Sequence, residues 1–257
     1  MNRLKRDVIY RNEWKYYISL QEAELLKRRI SPFMEKDPYA ADGKYMIRSL
    51  YFDDYWNSAY EEKIMGADDR KKWRVRIYDL RDSRIRLERK KKWGSYIHKE
   101  SAALSREELE KILNGDYEFL FYKESELCRQ FYYECMVNLY RPKVIVDYER
   151  EPFIRQEGNV RITFDSDVRA AAGDFQMFDG QLPVFSVLPP GTVILEVKFT
   201  EFLPGLIKEL LPLDGQEFSA ISKYTLCYEK VHHMTDVLAG ISKTNRRRKG
   251  NESEGLF

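Results

Sequence analysis

No window of this 257-residue sequence approaches the ~18 apolar residues of a membrane-spanning helix. Its opening stretch, MNRLKRDVIYRNEWKYY, has no apolar core of the kind a secretory leader carries. Cysteine is scarce: Cys128, Cys135 and Cys227 form no Cys-x-x-Cys, which argues against structural zinc and for a reduced compartment. The three histidines, His98, His232 and His233, have no metal-ligand partners at useful spacing. Neither common glycine-rich phosphate loop occurs. An excess of one charge is missing too. With 44 Lys and Arg against 42 Asp and Glu the net charge is +2, so a functional basic surface has to be concentrated locally. These absences lead to the expectation of a soluble, cytoplasmic protein without a membrane segment.

What is present is strand pattern. Charged residues at 33% and aromatics at 14% suit a folded, polar chain of amphipathic strands. Arg11 to Ile18 alternates as a strand, and Ser19-Leu20-Gln21-Glu22 has capping-box form for a helix that Ser31-Pro32 closes. Tyr45 to Asp53 reads as a second strand, and a short helical or irregular piece ends at Gly66. Ser105-x-x-Glu108 is a second capping box, opening the helix REELEKIL. Leu127, Cys128, Phe131, Cys135, Met136 and Leu139 have helical spacing, ended by Arg141-Pro142. Strands resume at 143–150, 160–168 and 192–199, followed by a short helix from Pro204 and a final one from near Ser219. The expected domain spans 1–241, with a polar, disordered tail over 242–257. No internal repeat and no plain linker divides the chain. Parallel βαβ alternation is absent, so the expected class is α+β, built on an antiparallel sheet or closed barrel.

The stretch from Lys71 to Lys99 has the most unusual chemistry. Arg74, Arg76 and Tyr78 share one strand face, with Trp73, Val75 and Ile77 on the other. After a turn placed at Arg81-Asp82-Ser83, the residues Arg84, Arg86, Glu88 and Lys90 alternate with Ile85 and Leu87, which predicts an antiparallel hairpin. Its polar face is almost a ladder of guanidinium groups, and like charges opposed across strands destabilise a sheet. Other strands repeat the pattern: Glu13 with Lys15, Arg161 with Thr163 and Asp165, Glu196 with Lys198. Two readings stay open on pattern alone. These are the wet outer faces of a two-layer sheet, or they converge inside a barrel as a basic channel for a polyanion and a divalent cation. Guanidinium forks grip phosphate oxygens in pairs, and a carboxylate can hold Mg²⁺ or Mn²⁺.

Eight short motifs, in order, resemble the VTC domain, the polyphosphate polymerase module of the triphosphate tunnel metalloenzyme superfamily. They are Glu13-Trp14-Lys15-Tyr16, Ser49-Leu50-Tyr51-Phe52-Asp53, Arg74-Val75-Arg76, Leu87-Glu88-Arg89-Lys90, Tyr148-Glu149-Arg150, Arg161 to Asp165, Leu195-Glu196-Val197-Lys198, and Phe218 to Tyr224. The resemblance runs from about residue 8 to residue 230. It implies an antiparallel β-barrel forming a tunnel, with helices packed around the outside. By that resemblance Lys15, Arg74, Arg76 and Lys223 are catalytic, and Lys90, Lys99, Tyr148, Arg150 and Arg161 bind phosphate. Glu196 would hold the metal, Mn²⁺ or Mg²⁺, with Glu88 a second metal candidate. The implied partners are ATP and inorganic polyphosphate.

One departure bears on the chemistry. The hydrolase and cyclase branch opens with Glu-x-Glu-x-Lys, whereas here the stretch is Arg11-Asn12-Glu13-Trp14-Lys15, which fits the polymerase branch better. The form expected is stand-alone and bacterial in type. The alternatives are a tunnel triphosphatase and a non-catalytic polyanion-binding module. Nucleic acid is not expected as a partner, since only the short Arg246-Arg247-Arg248-Lys249 run would support it. Trp73 and Trp93 are expected on the outer face, packed under helices.

Overall fold

The computed structural model describes residues 11–40, 42–94, 96–200, 202–211 and 220–233; the expected tail over 242–257 lies outside them. In chain order the strands are β1 (Arg11–Ser19), β2 (Glu35–Lys36), β3 (Tyr45–Asp53), β4 (Asp69–Tyr78), β5 (Arg81–Trp93), β6 (Tyr96–Leu104), β7 (Arg141–Arg155), β8 (Val160–Ala171), β9 (Phe185–Ser186) and β10 (Thr192–Thr200). The helices are α1 (Leu20–Ile30), α2 (Ser58–Ile64), α3 (Arg106–Leu113), α4 (Glu118–Phe121), α5 (Glu126–Val137), α6 (Gly205–Leu210) and α7, over residues 223–233. The class is α+β, as expected.

Both predicted capping boxes form. Ser19 Oγ accepts from the Glu22 amide while the Ser19 amide donates to Glu22 Oε2, and Ser105 and Glu108 do the same for α3. In α1, Ala23, Leu26 and Ile30 then fall on one buried face.

All strand pairs are antiparallel, and the sheet runs β1-β10-β8-β7-β3-β4-β5-β6, with β2 beside β7 and β9 beside β8. Among the described residues no ladder joins β1 to β6, so hydrogen bonds do not close the sheet into a complete barrel. It nevertheless curls far enough for Lys90 of β5 to reach Glu13 of β1, at 3.0 Å.

The curl separates two faces. On the convex side, α1 and α6 cover Tyr16, Ile162, Phe164, Leu195 and Val197, while α3, α4 and α5 cover Leu50, Trp73, Val75, Ile77 and Leu87. Burying each such side chain contributes roughly 1.5–3 kcal/mol. Helix α7 does not join the outer layer. Its Tyr224 and Cys227, together with Ile221, pack with Ile47, Tyr51, Val144, Val146 and Tyr148 on the concave face.

Two local expectations need correction. The β4–β5 turn is at Asp79-Leu80, both left-handed (φ 51° and 54°), rather than at Arg81-Asp82-Ser83. Asp79 tolerates that region better than most residues, and it is pinned to β3 through the Met46 amide and carbonyl. Trp73 is fully buried as expected, but Trp93 is 70% exposed beside the β5–β6 turn instead of packed under a helix.

Candidate active site

Register decides which residues meet. In β4 and β5, Arg74 lies opposite Glu88 and Lys72 opposite Lys90, all pointing away from Trp73, Val75 and Leu87 of the convex core. In β1 and β10, Lys15 lies opposite Glu196 and Glu13 opposite Lys198, pointing away from Tyr16, Leu195 and Val197. The period-two side-chain alternation thus puts every charged face found in the sequence on the concave side.

There the cations are matched by a few shared carboxylates. Glu88 Oε2 sits 2.6 Å from Arg74 and 3.8 Å from Arg76, and its Oε1 is 2.6 Å from Lys99. Asp165 accepts two bonds from Arg150, at 2.6 and 2.7 Å, and one from Lys223 at 2.5 Å. Glu13 pairs with Lys15 at 2.8 Å and Lys90 at 3.0 Å; Glu196 pairs with Lys198 at 2.5 Å and Arg150 at 3.4 Å. Arg161 bonds Asp37 and the Tyr45 hydroxyl, and Tyr45 is the cross-strand neighbour of Arg150. The Tyr148 ring lies under the charges of Arg150 and Lys223, and its hydroxyl meets Arg76 at 3.4 Å. All eleven residues named from the sequence as catalytic, phosphate-binding or metal-holding therefore share this face.

Helix α7 supplies the remaining wall. Lys15 Nζ donates to the Ile221 carbonyl at 3.2 Å, and Lys72 Nζ donates to Ser222 Oγ at 2.9 Å. Tyr224 stacks on Tyr51 and donates to Asp53 Oδ2 at 2.6 Å, while Asp53 also accepts from the Ala59 and Tyr60 amides of α2. Asp53 thereby ties β3, α2 and α7 together and holds Lys223 over Asp165.

The field inside is strongly cationic. Burial opposes ionisation of Glu88, but Arg74, Arg76 and Lys99 outweigh it and hold the carboxyl far below its usual range. Burial likewise opposes charge on Glu196, and Lys198 and Lys15 overcome it. Lys90 and Lys99 are pushed down to about 8 by burial and neighbouring cations, against the pull of Glu13 and Glu88. Their side chains remain 42% and 49% exposed, so both stay open to a ligand. Lys72 falls further, to about 7, through burial and the charges of Lys63, Lys15 and Lys90.

Among the described residues no three His, Cys, Asp or Glu side chains converge as a cation cage. Two carboxylates do face each other: Glu13 and Glu196, diagonal neighbours on paired strands. Across from Glu196 on β8, the buried hydroxyl of Thr163 has no hydrogen-bond partner among the described residues. That hard-oxygen set fits Mg²⁺ or Mn²⁺, ions that keep few protein ligands and complete their shell with water and phosphate oxygens. Glu88 is engaged by Arg74, Arg76 and Lys99; Glu13 and Glu196 are also paired with cations, but these two carboxylates stand side by side.

Glu13, Asp165 and Lys198 were legible as face-sharing residues, although only the tertiary structure shows what each one holds. Lys72 carries the same parity signal as Arg74. Thr163 was legible as sharing a face with Arg161 and Asp165, while Ser222 and Asp53 entered only as members of the resembling motifs.

No curated protein shows significant sequence similarity to this chain. Among solved structures, a candidate adenylyl cyclase from Hippeastrum in which triphosphatase activity dominates is similar at 16% identity. The match has TM-score 0.52 over 85% of this chain and 94% of that one. A candidate adenylate cyclase from Bacillus halodurans matches at 11% identity and TM-score 0.49, over 84% and 94% of the two chains. The first likeness is one of fold. Residues 10–232 match the VTC domain as a family, which covers the whole concave site, and the chain belongs to the VTC domain family.

Proposed function

We propose that the concave face is a triphosphate-binding lumen, and that the protein transfers the γ-phosphoryl group of ATP to the end of an inorganic polyphosphate chain. The observation that carries this reading is the convergence of Lys15, Arg74, Arg76, Lys90, Lys99, Arg150 and Lys223 on one face, neutralised only in part by shared carboxylates. Membership of the VTC domain family supports it.

No nucleophilic side chain is needed. A terminal oxygen of the chain attacks the γ-phosphorus, the bond to the β,γ-bridging oxygen breaks, and ADP leaves with that electron pair. Catalysis is then positioning and stabilisation of charge. Arg74 and Arg76 are held rigidly by Glu88, Tyr51, Ser49 and Tyr148, so their forks are oriented before a phosphate arrives. Lys90 and Lys99 bind flanking oxygens from more open positions. Lys15 and Lys223, fixed by Glu13 and Asp165, stabilise charge near the reacting group. Glu196, with Glu13 and the Thr163 hydroxyl, would hold a divalent cation, which when bound would supply positive charge to neutralise phosphate oxygens. The nucleotide base is inherited from the family resemblance, because no side chain named here reads it.

The second reading is hydrolysis of inorganic or nucleoside triphosphate in the same lumen, favoured by the triphosphatase activity described for the Hippeastrum protein of similar fold. Arg11 in place of the first carboxylate of the hydrolase pattern favours transfer. Purified protein with ATP and Mn²⁺ or Mg²⁺ decides between them by product length. ADP with long-chain polyphosphate supports the polymerase. Phosphate release without chain growth makes it a triphosphatase, and ligand-dependent thermal stabilisation without turnover makes it a binding module.

A further inference from the structure

The β4–β5 ladder does not stop at Arg74. Two rungs further toward the β5–β6 turn, Lys72 lies opposite Lys90 and Arg70 opposite Lys92. Directly opposed like charges on an antiparallel pair destabilise it. Deeper in the lumen Arg74, Arg76 and Lys99 share Glu88, and Arg150 and Lys223 share Asp165. Here, among the described residues, Lys63, Arg70, Lys72 and Lys92 have no carboxylate within ion-pair distance.

They are close enough to feel one another. The charge on Lys72 is disfavoured first by burial and then by Lys63, Lys15, Lys90 and Arg70; that on Lys63 first by burial and then by Arg70, Lys15 and Lys92. Glu62 of α2 interacts instead with Lys71, on the other face of β4. Lys72 is also oriented before any ligand binds, with its Nζ on Ser222 Oγ and 5.0 Å from the centre of the Tyr224 ring. A sheet that keeps four cations together with no carboxylate in ion-pair reach among the described residues is built for an anion that offsets them.

We propose that Lys63, Arg70, Lys72 and Lys92 form a second anion subsite, continuous with the lumen, that holds phosphates of a condensed inorganic phosphate chain longer than three units. The inference rests on the reading of the lumen as a triphosphate site. Inward-facing residues on one strand are about 6.7 Å apart, so a triphosphate held at Arg74 and Arg76 leaves roughly 13 Å of ladder as far as Arg70. The subsite is specific for chain length because three phosphates cannot occupy both regions. A nucleic acid fits it poorly. Base stacking is a main source of affinity for single strands, and here the Tyr224 ring beside Lys72 is already stacked on Tyr51, while Trp73 and Trp93 belong to the opposite face.

The test is titration of the full-length protein with tripolyphosphate, long-chain polyphosphate and a single-stranded oligonucleotide, in wild type and in Lys63→Gln/Lys92→Gln. Wild type is expected to bind the long chain at least about tenfold more tightly than tripolyphosphate. The variant should lose most of that preference, and its slope of log affinity against log salt for the long chain should fall by about 2, one for each cation removed. Lys63→Arg/Lys92→Arg, which keeps both charges, should retain it. Equal loss for both phosphates, no loss for either, or an oligonucleotide that binds as tightly as polyphosphate overturns the proposal. If tripolyphosphate binds but long chains bind no better, the subsite fails while the lumen reading stands. If neither binds wild type, the lumen reading fails and takes the subsite with it.

Discussion

Both ends of the β4–β5 ladder carry cations, and they differ in what neutralises them. Arg74 has a buried carboxylate, Glu88, across the strand pair, and the same carboxylate lies 3.8 Å from Arg76, whose own cross-strand partner is Arg86. At Lys72 and Arg70 the cross-strand partners are Lys90 and Lys92. The first end is stable when empty and orients its guanidiniums, as a site that performs chemistry must. The second is strained by its own charge when empty, as suits a site that captures and releases a polyanion. A uniform field would do neither job as well, because pre-organisation needs counter-charges and affinity for a polyanion needs their absence.

The largest effect should come from breaking the matched end. Glu88→Gln leaves Arg74, Arg76 and Lys99 without their shared carboxylate, and removing one partner of a buried ion pair costs about 3–5 kcal/mol. Urea unfolding is expected to show that loss, with added polyphosphate restoring part of it; an unchanged midpoint would mean the pairs contribute nothing. Arg74→Ala should lower the transfer rate by on the order of 10²–10³, about 2.7–4 kcal/mol of transition-state stabilisation. Steady-state kinetics check it, and a variant with full activity would remove Arg74 from the chemistry.

Tyr224→Phe keeps the ring stack on Tyr51 but leaves the buried Asp53 carboxylate one donor short, a loss of about 1–3 kcal/mol. If Asp53 positions Lys223 through α7, the variant should also lower kcat; a fall in stability alone would make the latch purely structural.

The pH dependence separates the two ends without mutation. Lys72 in the folded protein loses its proton near 7, and Lys90 and Lys99 near 8, all below the usual lysine value. The unfolded chain therefore binds more protons between about pH 7 and pH 10.5, and the contribution of these groups to stability rises with pH across that window. Anion binding has the opposite sign and should weaken from pH 6.5 to 9 as the lysines discharge. Calorimetric titration across that range checks it, and a flat profile would show that these lysines do not contact the ligand. The smallest effect is expected at the unmatched end without ligand. Lys72→Gln should raise the thermal midpoint by a degree or two, since like-charge repulsion is relieved.

Much of the site was legible because β-strand geometry is strict. Alternation put Arg74, Arg76, Glu88 and Lys90 on one face, and the same parity grouped Glu13 with Lys15 and Glu196 with Lys198. Helix starts at Ser19 and Ser105 were legible because a capping box is a local hydrogen-bond exchange within four residues. The hairpin turn was misplaced by two residues because Asp79-Leu80 lacks the glycine that a left-handed pair usually advertises. Helix α7 read as an ordinary amphipathic helix, and nothing local distinguishes an apolar stripe meant for a convex surface from one meant for a concave one.

The sequence by itself determined that a guanidinium-rich strand face existed and which residues share it, since neighbouring side chains on a strand must point to opposite sides. Whether that face looked into water or into a lumen was decided only by the tertiary structure. The outer clusters under α1, α3, α5 and α6 set which side of the sheet is convex, and the contacts from Lys90 to Glu13 and from Lys72 to Ser222 close distances of 77 and 150 residues in sequence. Curvature is a property of the whole sheet, so no single strand could announce it. Nor could any single strand show that Arg74 meets a carboxylate across the sheet while Lys72 meets a lysine.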